Sequence, residues 1–201
     1  MIIYLIRHAL SNANLKNLVT GNTEDNLSNK GVSQAVDLKN WIYTKKIKPE
    51  KLYVSHWKRA KQTAQILFPD LIWNEDIRLG ETNAGLVSEY TLKNFISTWP
   101  DFYSSNSNSY PGGESHMDLN NRVLSFWNEI KMIKVKSIMI VTHSGPISCI
   151  LQNILGINMD HFPSLVPAQA TLSIVKKKNT LEKMYISSFS SGPINNIDWS
   201  A

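Results

Sequence analysis

Ser137-Ile138-Met139-Ile140-Val141-Thr142-His143-Ser144-Gly145-Pro146 is the stretch on which the fold turns. Residues 137–141, a serine followed by four apolar and mostly branched residues, form the clearest candidate for a buried strand. Pro146 at a first-turn position and Gly156 after Leu155 open and close a helix over 146–155. A buried strand that feeds a helix belongs to a parallel α/β sheet, and it leaves His143 at the junction.

The same pattern recurs outward from there. Ile2 to Ile6 is a second short apolar run, cut off at Arg7. Ser28 can cap a helix in which Val32, Ala35, Leu38 and Trp41-Ile42 recur at helical spacing until the Lys-rich turn and Pro49. Leu52 to Ser55 reads as another buried strand, followed by a helix with Ala60, Ala64 and Leu67 on one face and Pro69 at its end. A short third strand is expected at 71–73. Residues 74–88, polar and carrying Gly80 and Gly85, read as a loop lying over something. Leu92, Phe95, Ile96 and Trp99 make a brief helical stripe stopped by Pro100, before an exposed Ser/Asn-rich loop at 104–109 and a turn at Pro111-Gly112-Gly113. A long helix is expected over 114–133 with Val123, Phe126-Trp127 and Ile130 on one face. Further strands are expected at 171–175 and 184–189, and the last residues read as a tail. The expected architecture is α/β, a three-layer α/β/α arrangement with a mostly parallel central sheet and helices on both faces. The chain reads as one domain, 1–201.

With 201 residues, 42% hydrophobic and 18% charged, and no low-complexity tract, the chain is that of a folded protein rather than a disordered one. A net charge of +5 suits nucleic acid, an anionic membrane or a small anionic substrate equally. The lysines stand in short groups, 45–48 and 176–178, which fit solvated loops, and neither a nucleic-acid nor a membrane partner is expected. The single cysteine, Cys149, rules out an intrachain disulfide and a thiolate zinc cluster. The apolar run at the N-terminus is too short for a signal-peptide core, so the expected location is cytoplasmic. Neither composition nor pattern fixes an oligomeric state.

Chemistry gathers at the strand ends. Arg7-His8 follows the first strand, Arg59 lies in the segment after the second, and His143 follows the run at 137–141. If these strands are parallel neighbours, the four side chains converge at one edge of the sheet. Two guanidiniums and an imidazole match the peripheral oxygens of a phosphoryl group and would stabilise charge during its transfer. The remaining imidazole, His8, can be the nucleophile if it is neutral and its second nitrogen is held by a hydrogen bond. Glu81, in the polar loop, is the carboxyl placed to protonate a leaving alkoxide and then activate water, with Glu75 and Asp76 as alternatives. The helix after His143 adds backbone N–H groups at an anion-binding end. Plainer roles fit each residue alone: Arg7 as a strand end, Arg59 paired with an acid of its own helix, Glu81 as one of sixteen acidic residues.

Leu5-Ile6-Arg7-His8-Ala9-Leu10-Ser11-Asn12-Ala13-Asn14 resembles the first signature of the histidine phosphatase superfamily, also called phosphoglycerate-mutase-like. Further blocks are similar to that family in order: Thr20-Gly21 with Leu27-Ser28, Gly31 and Gln34-Ala35; Ser55 with Arg59-Ala60 and Gln62-Thr63-Ala64; Leu79-Gly80-Glu81 with Gly85; Gly113-Glu114-Ser115 with Arg122; and Val141-Thr142-His143-Ser144-Gly145. The resemblance implies a phosphohistidine intermediate on His8, a phosphate pocket of Arg7, Arg59 and His143 with Ser144 beside it, and Glu81 as acid and then base. Asn14 is implied as a further phosphate contact, with Ser11, Thr20 and Gly21 nearby. No metal or other cofactor is implied. The sequence departs from the family pattern at Ala9, where most members carry glycine, and at 82–88, which lack the family's aromatic residue and Glu-Gly pair.

The implied activity is metal-independent hydrolysis of a small phosphorylated metabolite. The alternatives are a phosphoglycerate-mutase-type transfer and a catalytically weak module that binds a phosphorylated ligand. Family mutases tend to be longer between the acid loop and the Gly-Glu-Ser block, and the short segment 85–111 favours hydrolysis. His56, His116 and His161 match no invariant family position; His116 follows the Gly-Glu-Ser block and His161 sits in a Phe-Pro-containing loop, where either could touch a substrate, but plain surface roles are the expectation. Cys149 and the tryptophans read as packing, with Trp57 and Trp99 as the candidates for more.

Overall fold

The computed structural model describes residues 1–19, 21–177 and 183–196. Its regular elements run β1 (Ile2–Arg7), α1 (Asn12–Leu15), α2 (Asn29–Thr44), β2 (Lys51–Ser55), α3 (Lys58–Leu67), β3 (Asn74–Asp76), α4 (Leu92–Thr98), α5 (His116–Ile130), β4 (Ser137–Thr142), α6 (Ser144–Leu155), β5 (Leu172–Lys177) and β6 (Met184–Ser191). Among the described residues one sheet has the order β3-β2-β4-β1-β5-β6. The pairs β3·β2, β2·β4 and β4·β1 are parallel, and β5 and β6 extend the sheet antiparallel on the β1 side. The sheet is mostly parallel, as the buried runs imply.

The alternation of side chains along β4 explains the layers. Every residue of this strand is buried. Ile138 and Ile140 join a core with Ile3 and Leu5 of β1, Val123, Phe126 and Ile130 of α5, and Ile147 and Ile150 of α6. Met139 and Val141 join the opposite core, with Ile6, Leu38 and Ile42 of α2 and Ala60 and Ala64 of α3. Strand period two sends neighbours to opposite faces, and each such side chain contributes about 1.5–3 kcal/mol by leaving water. A third, aromatic cluster of Phe95, Phe102 and Tyr110 with Ala84 and Val87 lies apart from both.

Several element boundaries differ from the sequence expectation. The third strand is Asn74–Asp76 rather than 71–73: Ile72 is 89% exposed, and it is Asn74 to Asp76 that pair with Tyr53 to Ser55. The long helix starts at His116 because Ser115 caps it and Asp118 returns the hydrogen bond to the Ser115 N–H, and it stops at Ile130 rather than 133. Helix α6 starts at Ser144, two residues before Pro146, whose missing N–H falls in the first turn where it has no helical partner to lose. In α2, Val32 is exposed and Gly31 is buried in its stead. In α4 only Phe95 of the stripe is fully buried, Leu92 and Ile96 facing outward. The expected tail at 197–201 lies outside the described residues.

Gly31 shows how α2 is seated. Ser28 caps the helix by accepting the Gly31 N–H at 3.0 Å and donates its hydroxyl to the Leu10 carbonyl at 2.9 Å, tying the helix start to the loop that follows His8. A Cβ on Gly31 would lie 2.0 Å from that same carbonyl oxygen. Helix propensity alone favours alanine by roughly 1 kcal/mol, but backbone cannot move aside cheaply. Gly31→Ala is therefore expected to destabilise the fold by about 1–3 kcal/mol, read as a lower urea midpoint; an unchanged or higher midpoint would contradict this packing.

Candidate active site

Parallel pairing puts three strand ends side by side. Arg7 is in register with Thr142 and Val54 with Val141, and the His8 N–H extends the ladder to the Thr142 carbonyl at 2.9 Å. The residues just beyond these ends, His8, Trp57 to Arg59 and His143, are thereby delivered to one edge.

His8 is 2% exposed. Its Nδ1 lies 2.7 Å from the Ala9 carbonyl, which can only accept, so Nδ1 carries the proton and Nε2 the lone pair. Arg59 Nε faces that lone pair at 3.1 Å. Burial first, and then the Arg59 and Arg7 charges, push the His8 pKa well below its ordinary value, so the ring is neutral. Ala9 is not among the residues with positive φ, so this backbone position makes no demand for glycine.

Backbone carbonyls and a ring face help to hold the two arginines. The Arg59 guanidinium lies over the Trp57 ring at 4.4 Å and donates to the Asn22 carbonyl at 3.1 Å, with Asp25 Oδ2 3.8 Å away. Burial brings its pKa down to about 10, which leaves it cationic at neutral pH. Arg7 donates from Nη1 to the Pro167 carbonyl at 2.7 Å, while its buried Nε has no hydrogen-bond partner among the described residues. Burial lowers its pKa too, opposed by the nearby Glu81 charge.

His143 lies ring to ring with His8, centroids 4.8 Å apart. Its Nε2 contacts Ser55 Oγ at 2.8 Å, and its buried Nδ1 has no partner among the described residues. Burial, then the charge of Arg59, holds this imidazole neutral as well.

Glu81 arrives from the other side. Its Oε2 accepts from Ser144 Oγ and from the Gly145 N–H, each at 3.1 Å, and Oε1 accepts from its neighbour's N–H at 3.0 Å. A Cβ at residue 145 would lie 2.2 Å from Oε1, so only glycine lets the carboxyl sit on the end of α6. Arg122 fixes the loop, donating to the carbonyls of Arg78, Gly80 and Glu81 at 2.8–2.9 Å while paired with Glu114. Glu114 in turn accepts the Asn83 N–H at 2.7 Å.

Arg7, His8, Asn14, Arg59, Glu81 and Ser144 line one cavity of about 270 Å3, whose outer wall is Tyr103, Tyr110, His116 and Phe162. A model of the histidine phosphatase superfamily (branch 1) matches residues 3–184. The chain belongs to the histidine phosphatase superfamily. It is 30% identical over 169 residues to human 6-phosphofructo-2-kinase/fructose-2,6-bisphosphatase 1, a match covering 81% of this chain and 34% of that protein. It thus spans about a third of the length of such curated relatives. Its fold matches an alpha-ribazole phosphatase from Shigella flexneri, with a TM-score of 0.84, 21% identity and coverage of 95% and 96% of the two chains. A mycobacterial glucosyl-3-phosphoglycerate phosphatase in complex with VO3 matches with a TM-score of 0.82, 21% identity and coverage of 95% and 99%.

Within this superfamily member the expected site residues are sorted by position. Arg7, His8, Arg59, Glu81, Asn14 and Ser144 line the cavity, and His143 is fully buried with its ring against His8. The α6 terminus, expected to face an anion, gives its Gly145 N–H to Glu81. Ser11 is fully buried and acts through Asn14: its N–H and hydroxyl both reach Asn14 Oδ1, which orients the amide. Gly21 has φ +69 and abuts Ala13 and Arg59, backing the site rather than lining it; Thr20 lies outside the described residues. The alternative acids are elsewhere, Glu75 paired with Lys61 and Asp76 with Arg78. Trp57 serves as the platform under Arg59. His116, expected on the surface, is 8% exposed and lines the cavity.

The neutral histidines make a pH signature. The unfolded chain takes up protons below about pH 6.5 that buried His8 and His143 resist, so their contribution to stability is full above that pH and falls as pH drops toward the folded values. The fall is up to about 1.4 kcal/mol per pH unit for each group. Urea unfolding between about pH 7.5 and 5.5 should show it, and His8→Gln should flatten the slope. An unaltered slope in that variant would mean His8 is not buried neutral.

Proposed function

We propose that the chain is a phosphomonoester hydrolase that works through a phosphohistidine on His8. The observation that carries this is the His8 Nε2 lone pair, held on a neutral ring, against a cationic wall of Arg59 and Arg7. Two buried donors add support: Arg7 Nε and, if Ser55 donates to Nε2, the Nδ1–H of His143. A buried unsatisfied donor costs about 1–3 kcal/mol, and a phosphoryl oxygen would satisfy each.

The chemistry follows from these positions. Nε2 attacks phosphorus, the ester P–O bond breaks, and the leaving alkoxide takes the proton of the Glu81 carboxyl. Arg7, Arg59, Asn14 and His143 hold the transferring oxygens, where charge is spread in the transition state. Glu81, now a carboxylate, takes a proton from water as that water attacks the phosphohistidine, releasing inorganic phosphate and free His8. All of this is carried by side chains, with no metal called for. Water is favoured as acceptor over a second substrate hydroxyl by the short segment 85–111, and residues 1–201 are taken as one domain.

Phosphate release with EDTA present tests the reading. His8→Ala should lose at least about 10³-fold in turnover of any monoester. Glu81→Gln should lose about 10²–10⁴-fold with an alkyl phosphate, whose leaving group needs a proton, and far less with p-nitrophenyl phosphate. Full activity in His8→Ala would refute the nucleophile, and equal losses on both esters in Glu81→Gln would refute the acid. Transfer from a bisphosphate to a monophosphate without hydrolysis would favour a mutase, and phosphate binding without turnover a binding module.

A further inference from the structure

The outer wall of the cavity is built from segments unrelated to the phosphate end. His116 packs against Phe162 with ring centroids 5.0 Å apart and against Tyr103 and Tyr110 at 6.2 and 5.9 Å. Its hydrogen bonding is determined by a chain that starts from a fixed acceptor. The Met159 carbonyl can only accept, so the Asn106 amide turns its Nδ2 to it and presents Oδ1. Oδ1 lies 3.1 Å from His116 Nδ1, which must therefore carry the proton. Nε2 is left as an acceptor, with no hydrogen-bond partner among the described residues. Burial lowers the His116 pKa, which keeps Nε2 an acceptor at neutral pH.

Charge narrows the ligand further. Of the described residues lining the cavity, only Arg7 and Arg59 are cationic, and both stand at the His8 end. A second phosphate on the substrate would face tyrosine and phenylalanine rings, and the Glu81 carboxyl beside them, with no cation to receive it.

We propose that this wall is the leaving-group subsite, and that His116 selects a singly phosphorylated ester whose alcohol carries a planar ring bearing an O–H or N–H donor. The ring lies against Tyr103, Tyr110 and Phe162, and its donor bonds to His116 Nε2. This rests on the reading of His8 and the two arginines as the phosphate end. His116 is then a specificity residue that takes no part in the phosphoryl chemistry.

Non-hydrolysable phosphonates test this by binding alone, in the whole chain. Calorimetric titration would compare propylphosphonate, 2-phenylethylphosphonate, 2-(4-hydroxyphenyl)ethylphosphonate and propane-1,3-bisphosphonate, with inorganic phosphate as reference. The phenyl compound should bind at least about tenfold tighter than the propyl one, and the hydroxyl should add about a further fivefold. The bisphosphonate should bind no tighter than propylphosphonate. In His116→Phe the gain from the hydroxyl should vanish while the ring preference stays, and in His116→Gln, which keeps an acceptor, part of that gain should return. Equal binding of propyl and phenyl compounds, tighter binding of the bisphosphonate, or a hydroxyl preference that survives in His116→Phe would overturn the proposal while leaving the phosphatase reading intact. If neither phosphate nor any phosphonate binds, both fall together. Should His116→Phe fail to fold, the wild-type series and His116→Gln still decide between ring-and-donor selection and none.

Discussion

The Arg59 guanidinium, 2% exposed, donates to His8 Nε2 at 3.1 Å and shares a buried ion pair with Asp25 at 3.8 Å. Burying an ion carries a penalty of several kcal/mol unless partners offset it, and the partners here include the face of Trp57, the Asn22 carbonyl and the Asp25 carboxylate. What the arrangement secures is a positive potential at the imidazoles. Protonating His8 or His143 would put a further cation beside Arg59, so both rings stay neutral. A nucleophilic imidazole and an anion-binding wall thus arise from one decision, the placing of α3 directly after β2.

The opposite wall answers a different demand. A carboxyl that gives and then takes a proton has to be held near the same point without salting out the two arginines. The fold seats Glu81 on the Gly145 N–H and the Ser144 hydroxyl, at the positive end of α6, instead of in a direct ion pair with Arg7 or Arg59. Arg122 takes no share of the carboxylate; it binds backbone carbonyls of the loop and is itself paired with Glu114. The helix terminus that could have received phosphate is thereby committed to the acid, and the phosphate end is left to side chains.

This division also explains what could be read in the sequence. Buried strands announce themselves as mainly apolar runs, so the runs at 2–6, 52–55 and 137–141 were legible, and parallel pairing then brings Arg7, His8, Arg59 and His143 together by arithmetic. The edge strand was not legible: Asn74–Asp76 is held by backbone pairing to β2 and has no apolar face, whereas Leu71 and Ile72 are apolar and exposed. The contact of His143 with His8 depends on rotamers and on Ser55, which spacing does not encode. A surface role outweighed substrate contact for His116 because its partners, Asn106, Met159 and Phe162, come from segments whose approach has no period. Two signals were available: its place directly after the Gly-Glu-Ser block, and the aromatic residues Phe102, Tyr103 and Tyr110 that crowd a short segment just before it.

Aromatic residues absent from the acid loop at 82–88 reappear in that segment, so the side of the site away from phosphorus is supplied by a different part of the chain from the one the family pattern would name. Strand ends are fixed by the ladder, and Arg7 cannot move without its register to Thr142. The segments at 102–110 and 162–166 lie outside the strand ladder, and their contacts with His116 are between side chains. Changes there can reshape the room for a leaving group while the His8 end stays as it is. Likeness to relatives at the strand ends therefore carries information about how phosphorus is handled and very little about what is attached to it.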